Sequence, residues 1–285
     1  MMKYANLHLH STHSDGGYRP AHLVRLAKSL GYSAVSLTDH EAISGLPELL
    51  KEAKKEGIEA MSGIELYAKF NGKSFHIVGL DFDYENKTMT DFVDTLTENQ
   101  IRHMKAITEE ACEKGIWPGA SWETIRQNIP SSIRWICNDH IYTALDQMGI
   151  VPFSDREITF RTAFKETEAS KLYKPQRFSA QEVIDVIHAA GGIAVLAHPD
   201  ECHFDDGYVD GLIKIGLDGI ETSHPDITER SAKLGIHKAM KHRLYCCGGT
   251  DHTGPLSACD GKYAIPAYQG VTLEEYADIK KRRFG

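Results

Sequence analysis

The stretch Asn6-Leu7-His8-Leu9-His10-Ser11-Thr12-His13-Ser14-Asp15-Gly16 decides how the rest of the chain is read. Residues 4–9 alternate as a short strand does, and side chains two apart on a strand share a face. His8 and His10 therefore project together, close enough for both imidazoles to meet one metal ion. Residues 11–17 are polar, hold two glycines and read as a loop leaving the C-terminal end of that strand, able to carry Asp15 to the same point. A His-x-His pair alone also fits a histidine-rich loop that binds nothing. The other strands decide between the two readings.

They end the same way. Residues 34–38 form a short apolar run that passes straight into Asp39-His40, and residues 60–66 form another with Glu65 near its end. Residues 67–80 read as a hairpin turning at Asn71-Gly72, a strong turn dipeptide, with His76 on the return strand. Further on, the run at 193–197 ends in His198-Pro199, the run at 219–222 precedes His224-Pro225, and the run at 245–249 enters Thr250-Asp251-His252. Amphipathic helices separate these runs at 20–30, 44–56, 180–190, 207–215 and 226–242, and a charged helix closes the chain at 272–283. The helix at 180 is opened by Ser179 with Glu182 three residues on, a capping box.

Strand–helix alternation implies a parallel sheet, and about seven such units suggest a barrel. In such sheets sites form outside the C-terminal ends of the strands. His8, His10, His40, Glu65, His198 and Asp251 all fall there, and the hairpin adds His76. One buried histidine is usually satisfied by backbone; seven ligand-type residues at one end of a barrel point to a metal centre. Residues 88–177 differ in texture, with a long helix over 88–114, shorter ones at 121–128 and 139–148, and weak strand signals. The expected organisation is an α/β barrel built from 1–87 and 178–285, with 88–177 a helical insertion capping the site.

The totals fit a soluble globular protein: 285 residues, 41% hydrophobic and 25% charged. A net charge of −8 argues against coating nucleic acid or an anionic membrane, though a metal site still admits a small anionic substrate. The first residues lack the apolar core of a signal peptide and no run reaches membrane-spanning length, so the cytoplasm is the expected location. None of the six cysteines forms a C-x-x-C pair, and free thiols are expected.

His8-Leu9-His10-Ser11, Ser14-Asp15-Gly16, Thr38-Asp39-His40, Gly63-Ile64-Glu65, His76-Ile77-Val78-Gly79, Ala197-His198-Pro199 and Gly219-Ile220-Glu221, in that order, resemble the PHP (polymerase and histidinol phosphatase) family. The resemblance covers nearly the whole chain. It implies a distorted seven-stranded (β/α) barrel and phosphoester hydrolysis with two or three Mn, Fe or Zn ions. It also implies that His8, His10, Glu65 and Asp251 hold one ion, that Glu65 bridges to a second completed by His76 and His198, and that Asp15 and His40 help hold a third. A carboxylate-bridged pair suits this chemistry, since two such ions acidify a shared water and neutralise phosphoryl charge. Asp15, His40 and His198 are candidates to protonate the leaving alkoxide.

Two departures stand out. The last family motif reads Gly-Ser-Asp-x-His, whereas this chain has Gly249-Thr250-Asp251-His252-Thr253, so His252 comes one residue early as a candidate ligand and the third metal is in question. Asn138 stands where similar members carry an arginine that, with the histidine at position 140, contacts substrate phosphate. Arg134, Lys174 and Arg177 are the neighbouring cations available instead, and His224 is a further candidate to line the pocket. The expected partner is a small phosphorylated metabolite, a monoester or cyclic phosphodiester of a nucleotide or sugar, with no stable nucleic-acid partner and no membrane. A histidinol-phosphate-type phosphatase and a catalytically silent metal- or nucleotide-binding module are the alternatives.

Overall fold

A computed structural model describes residues 3–172, 177–204, 207–254 and 268–281. Lys174 and Cys259 lie outside the described residues. The strands run β1 (Ala5–Asn6), β2 (Ala34–Leu37), β3 (Glu59–Phe70), β4 (Lys73–Leu80), β5 (Phe178–Ser179), β6 (Ile193–Leu196), β7 (Gly219–Ser223) and β8 (Tyr245–Gly248). Seven of them pair in the order β1-β2-β3-β4-β6-β7-β8, and β5 adds to the far end of β3. The first and last strands then approach one another. Leu7 N donates to Gly248 O at 3.2 Å, Asp251 N to His8 O at 3.0 Å and His10 N to His252 O at 3.2 Å. The barrel is nearly closed.

The sheet is mixed, because the expected hairpin puts an antiparallel strand into an otherwise parallel path. The predicted strand at 60–66 and the first arm of the hairpin are one continuous strand, β3, and β4 returns antiparallel to both β3 and β6. The cause is local: a two-residue turn at Asn71-Gly72, both with positive φ, reverses the chain. The remaining neighbours along the path are parallel. Along the inner strands, Val35, Leu37, Ile64, Leu66, Ile77, Leu196 and Ile220 pack in one cluster with the helices. Met61, Val78 and Val195 alternate with them in a second, together with Tyr276 and Ile279.

The helices α1 (Pro20–Ser29) and α2 (Leu46–Glu56) follow β1 and β2. Between β4 and β5 come α3 (Lys87–Glu113), α4 (Trp122–Gln127), α5 (Asn138–Gln147), α6 (Arg156–Glu166) and α7 (Ala169–Leu172), with α8 (Ala180–Ala189), α9 (Tyr208–Lys214), α10 (Glu229–His242) and α11 (Leu273–Lys281) later in the chain. Helix α10 starts at Glu229 rather than 226, because Thr228 caps it through Ser231 N. The Ser179–Glu182 capping box forms as expected. At 27 residues α3 is about 40 Å long. Its first turns (Met89, Val93, Leu96) join the barrel cluster, while Met104 and Ala111 belong to a separate core with Trp117, Ile125, Ile141, Tyr142 and Leu145. Cys112, Cys137, Cys202, Cys246 and Cys247 are free thiols.

Candidate metal centre

The first strand pairs over Ala5–Asn6 only, but the extended chain continues to His10. Thr38 replaces the missing ladder: its Oγ1 and Leu9 O meet at 3.1 Å, and its backbone N donates to Leu9 O at 2.8 Å. That preserves the alternation, so His8 and His10 reach the same interior point with Nε2 atoms 3.2 Å apart. Gly249 is required beside them, since a Cβ there would sit 2.3 Å from His8 N.

Both oxygens of buried Glu65 are engaged, on different sides. Oε2 faces His8 Nε2 at 3.4 Å, His10 Nε2 at 3.3 Å and His40 Nδ1 at 3.1 Å. Oε1 faces His76 Nδ1 at 2.8 Å and His198 Nε2 at 3.0 Å, and those two nitrogens stand 3.3 Å apart. Asp251 Oδ1 completes the first group, 3.5 Å from His8 Nε2 and 2.9 Å from His10 Nε2. Donors about 2.0–2.2 Å from a shared ion stand about 3.0–3.6 Å apart around it, which is the spacing these atoms show. His40 Nδ1 is buried and makes no hydrogen bond despite its distance to Glu65, as a ligand nitrogen would. The residues fit a divalent metal centre.

Charge gives the same answer. Burial would raise the Glu65 and Asp251 carboxyls, yet the surrounding imidazoles hold both well below the usual carboxylate range. Burial likewise opposes charging His8, but Glu221, Glu65 and Asp251 together raise it well above an ordinary histidine. Several buried carboxylates thus need positive charge among them, from imidazolium or from a cation. His40 goes the other way: burial lowers it to about 4, against the pull of Glu65 and Asp15.

Asp15 arrives on the first loop, 3.3 Å from His10 Nδ1 and 3.7 Å from His40 Nε2. Asp39, which sequence reasoning left out, fixes that loop by accepting from Ser11 N (2.6 Å), Ser11 Oγ (2.7 Å) and Ser14 Oγ (2.7 Å). Glu221 was missed as a site residue too. Its Oε1 accepts from His8 Nδ1 at 2.8 Å, which turns that ring's Nε2 toward the cluster, and its Oε2 accepts from the backbone N of His198 at 2.7 Å, which anchors the chain there. It ends a strand pattern as Glu65 does, so the same rule applied to β7 finds it.

His224, expected to touch substrate, is buried within the cluster, its ring forming a donor group with His8 and Glu221. Its Nδ1 accepts from Asp226 N at 3.0 Å and its Nε2 lies 3.2 Å from Asp251 Oδ2. His252, the candidate ligand one residue early, lies under α1 among Asn6, Leu9, Leu23, Leu26, Ala27, Leu30 and Thr250. The bridge between Leu9 and His252 continues the sheet, so neighbours in sequence there point opposite ways. Glu41, His198 and Asp251 all adopt positive φ at the barrel mouth, backbone strain of the kind functional sites retain.

The insertion meets this mouth at a few polar points. His140 Nε2 donates to Thr12 O at 2.9 Å and its Nδ1 accepts from Cys137 N at 3.0 Å, so both nitrogens are occupied and burial keeps the ring neutral. Cys137 Sγ donates to Ser14 O at 3.2 Å. A cavity of about 310 Å³ lies between the 12–17 loop and α5, lined in part by His13, Asp15, Ile133, Asp139, His140 and Gln147; it touches the metal cluster through Asp15 alone. Asn138 opens α5. Arg134 is exposed and pairs with Asp94 at 2.9 Å. Arg177 instead lies over the Tyr67 ring, 3.7 Å from its centroid, with Nη1 2.9 Å from Glu41 Oε1.

The chain has clear relatives. A PHP domain model matches residues 6–189. The chain is 30% identical over 260 residues to a 5′-3′ exoribonuclease of Haemophilus influenzae, covering 90% of this chain and 92% of the relative. It is 27% identical over 265 residues to a 3′,5′-nucleoside bisphosphate phosphatase of Chromobacterium violaceum, covering 89% and 88%. A crystal structure from Bifidobacterium adolescentis, of a protein inferred to be a metal-dependent phosphoesterase, superposes with a TM-score of 0.80 at 23% identity, covering 98% of this chain and 96% of that one. No helix among the described residues is long and apolar enough to cross a membrane.

Proposed function

The chain belongs to the PHP domain family, and from that premise we propose that it hydrolyses a small phosphorylated metabolite, a nucleotide or sugar phosphate, at a pair of divalent ions. It is a phosphoesterase. The observation that carries the two-metal reading is Glu65, whose two oxygens face separate histidine groups. His8, His10, Glu65 and Asp251 would hold one ion, and Glu65, His76 and His198 a second; Mn, Fe and Zn all suit this donor set. When bound, such ions supply charge neutralisation at the phosphoryl group and an acidified water.

The remaining work falls to the chain's own groups. Glu221 aims the His8 ring and anchors the backbone at His198, and Asp39 holds the loop that presents Asp15. Asp15, His40 and His198 are the groups we assign to proton transfer at the leaving oxygen, since that step needs a titratable group beside the ester. Asp15 and His40 also stand where a third ion would bind, with Thr253 in place of a family histidine. We assign residues 88–177 the role of a cap: Thr12, Ser14 and Glu41 of the barrel are each bonded to it or to the segment that returns from it.

The test is phosphate release by Mn-loaded enzyme from nucleoside bisphosphates, cyclic nucleotides, cyclic sugar phosphates, sugar monophosphates and histidinol phosphate, with bound metal counted on the same sample. A 5′-phosphorylated oligoribonucleotide belongs in the panel because of the Haemophilus influenzae relative. Turnover of one group with two metals bound supports the reading. Two bound metals with no release from any substrate would turn it into a silent metal- or nucleotide-binding module.

A further inference from the structure

Arg177 and Glu41 are the unusual pair at the barrel mouth. Glu41 directly follows the candidate ligand His40, is buried, and sits in a left-handed backbone conformation at φ 50°. Its two oxygens reach out of the barrel: Oε2 accepts from Trp135 Nε1 of the insertion at 3.2 Å, and Oε1 from Arg177 Nη1 at 2.9 Å. Arg177 lies flat on Tyr67, whose ring stacks on His40 at 5.5 Å and meets His76 edge-on at 4.2 Å. One aromatic side chain therefore separates the guanidinium from two candidate ligands. The arginine side chain is 25% exposed, so its partners at Glu41 and Tyr67 do not close it off from solvent.

We propose that Arg177, held in place by Glu41 and Tyr67, binds the phosphate of the substrate and makes the site favour phosphomonoesters over phosphodiesters. The inference rests on the phosphoesterase reading above and narrows it. A guanidinium has five donors in a fixed plane and matches phosphate oxygens pairwise. A monoester dianion offers three terminal oxygens and two charges, and a diester offers two oxygens and one charge. A fixed cation at the mouth therefore gains more from the monoester. Stacking on Tyr67 and pairing with Glu41 remove rotamer freedom before substrate arrives, so less entropy is lost on binding. Glu41 is a positioning residue in this scheme, and Arg177 supplies the cation that Asn138 cannot.

The experiment compares Mn-loaded wild type with Arg177→Ala, Arg177→Lys and Glu41→Gln on p-nitrophenyl phosphate and bis(p-nitrophenyl) phosphate, and titrates inorganic phosphate calorimetrically. Arg177→Ala should weaken phosphate binding by about 10–100-fold, the loss expected for charge-assisted hydrogen bonds. It should also lower the monoester-to-diester ratio of kcat/KM by about 10-fold or more. Arg177→Lys should recover part of both. Glu41→Gln keeps the tie to Trp135 and should raise the monoester KM more than it lowers kcat, with metal content retained. An unchanged ratio together with unchanged phosphate affinity in Arg177→Ala overturns the proposal. Wild type that cleaves neither probe but loses phosphate binding in Arg177→Ala keeps the clamp and counts against the small-metabolite reading of the site; phosphate binding independent of Arg177 removes the clamp alone.

Discussion

The barrel mouth and the helical insertion spend buried volume in opposite ways. At the mouth, His8, His10, Glu65, Asp251, Glu221 and His224 are buried polar groups packed against one another, with strained backbone at His198 and Asp251. In the insertion, Trp117, Ile125, Ile141, Tyr142 and Leu145 make an ordinary apolar core. The insertion core gains its stability from removing apolar surface from water. The mouth carries buried charge that neither packing nor backbone bonding rewards, and such clusters persist where chemistry needs them. On the proposed function, stability and chemistry are spatially separated, and that separation can be tested by perturbing each region alone.

The largest expected effect is at Glu65, since both donor groups share it. Glu65→Ala should reduce turnover by at least about 10⁴-fold, as removal of one member of a group acting as a unit does. It should also lower bound metal, while the melting temperature of the metal-free protein stays the same or rises. Unfolding of the variant would make Glu65 a structural residue and erase the contrast. Trp117→Ala probes the other side. It should cost about 3–5 kcal/mol of stability in denaturant unfolding and leave metal per folded molecule unchanged; loss of metal would mean the insertion core supports the centre directly.

Metal itself sharpens the comparison further. Mn at about 100 times its dissociation constant should stabilise the fold by about 2.7 kcal/mol. Hydrogen exchange should show the gain at residues 8–15 and around Asp251, with α4 and α5 little changed. Protection spread evenly over both regions would argue against a local centre. Smallest is Glu221→Gln, which keeps the shape but weakens the hold on His8 and His198. Turnover or metal affinity should fall by about 10–100-fold, measured by metal titration, and full metal affinity with full turnover would remove Glu221 from the site.

Most of the candidate centre was legible because most of the expected ligands sit at a strand end, and a strand end is a local pattern of apolar alternation followed by polar residues. His8, His10, His40, His198 and Asp251 follow that rule; Glu65 follows it only as a sequence pattern, because β3 runs on through it to Phe70. His76 obeys its mirror image: β4 runs backwards, so its ligand lies near the start of the strand and pairs in register with Tyr67, two residues past Glu65. The Asn71-Gly72 turn announced the reversal, and the family resemblance supplied which donors are expected to share an ion. Glu221 was equally legible and was read only as a motif residue.

What the chain determined by itself was therefore the alternation, the turn, the capping box at Ser179 and the ligand types, because these depend on neighbours within a few residues. Only the tertiary structure decided where individual side chains act. His140 became a bolt between cap and loop, His224 a buried partner of Asp251, His252 a side chain under α1, and Arg177 a cation stacked on Tyr67 and paired with Glu41. Each of those outcomes depends on contacts with chain at least 27 residues away, from Asp251 beside His224 to Leu9 beside His252, and a direction of projection across such a separation is set by packing. Local sequence carries no term for it.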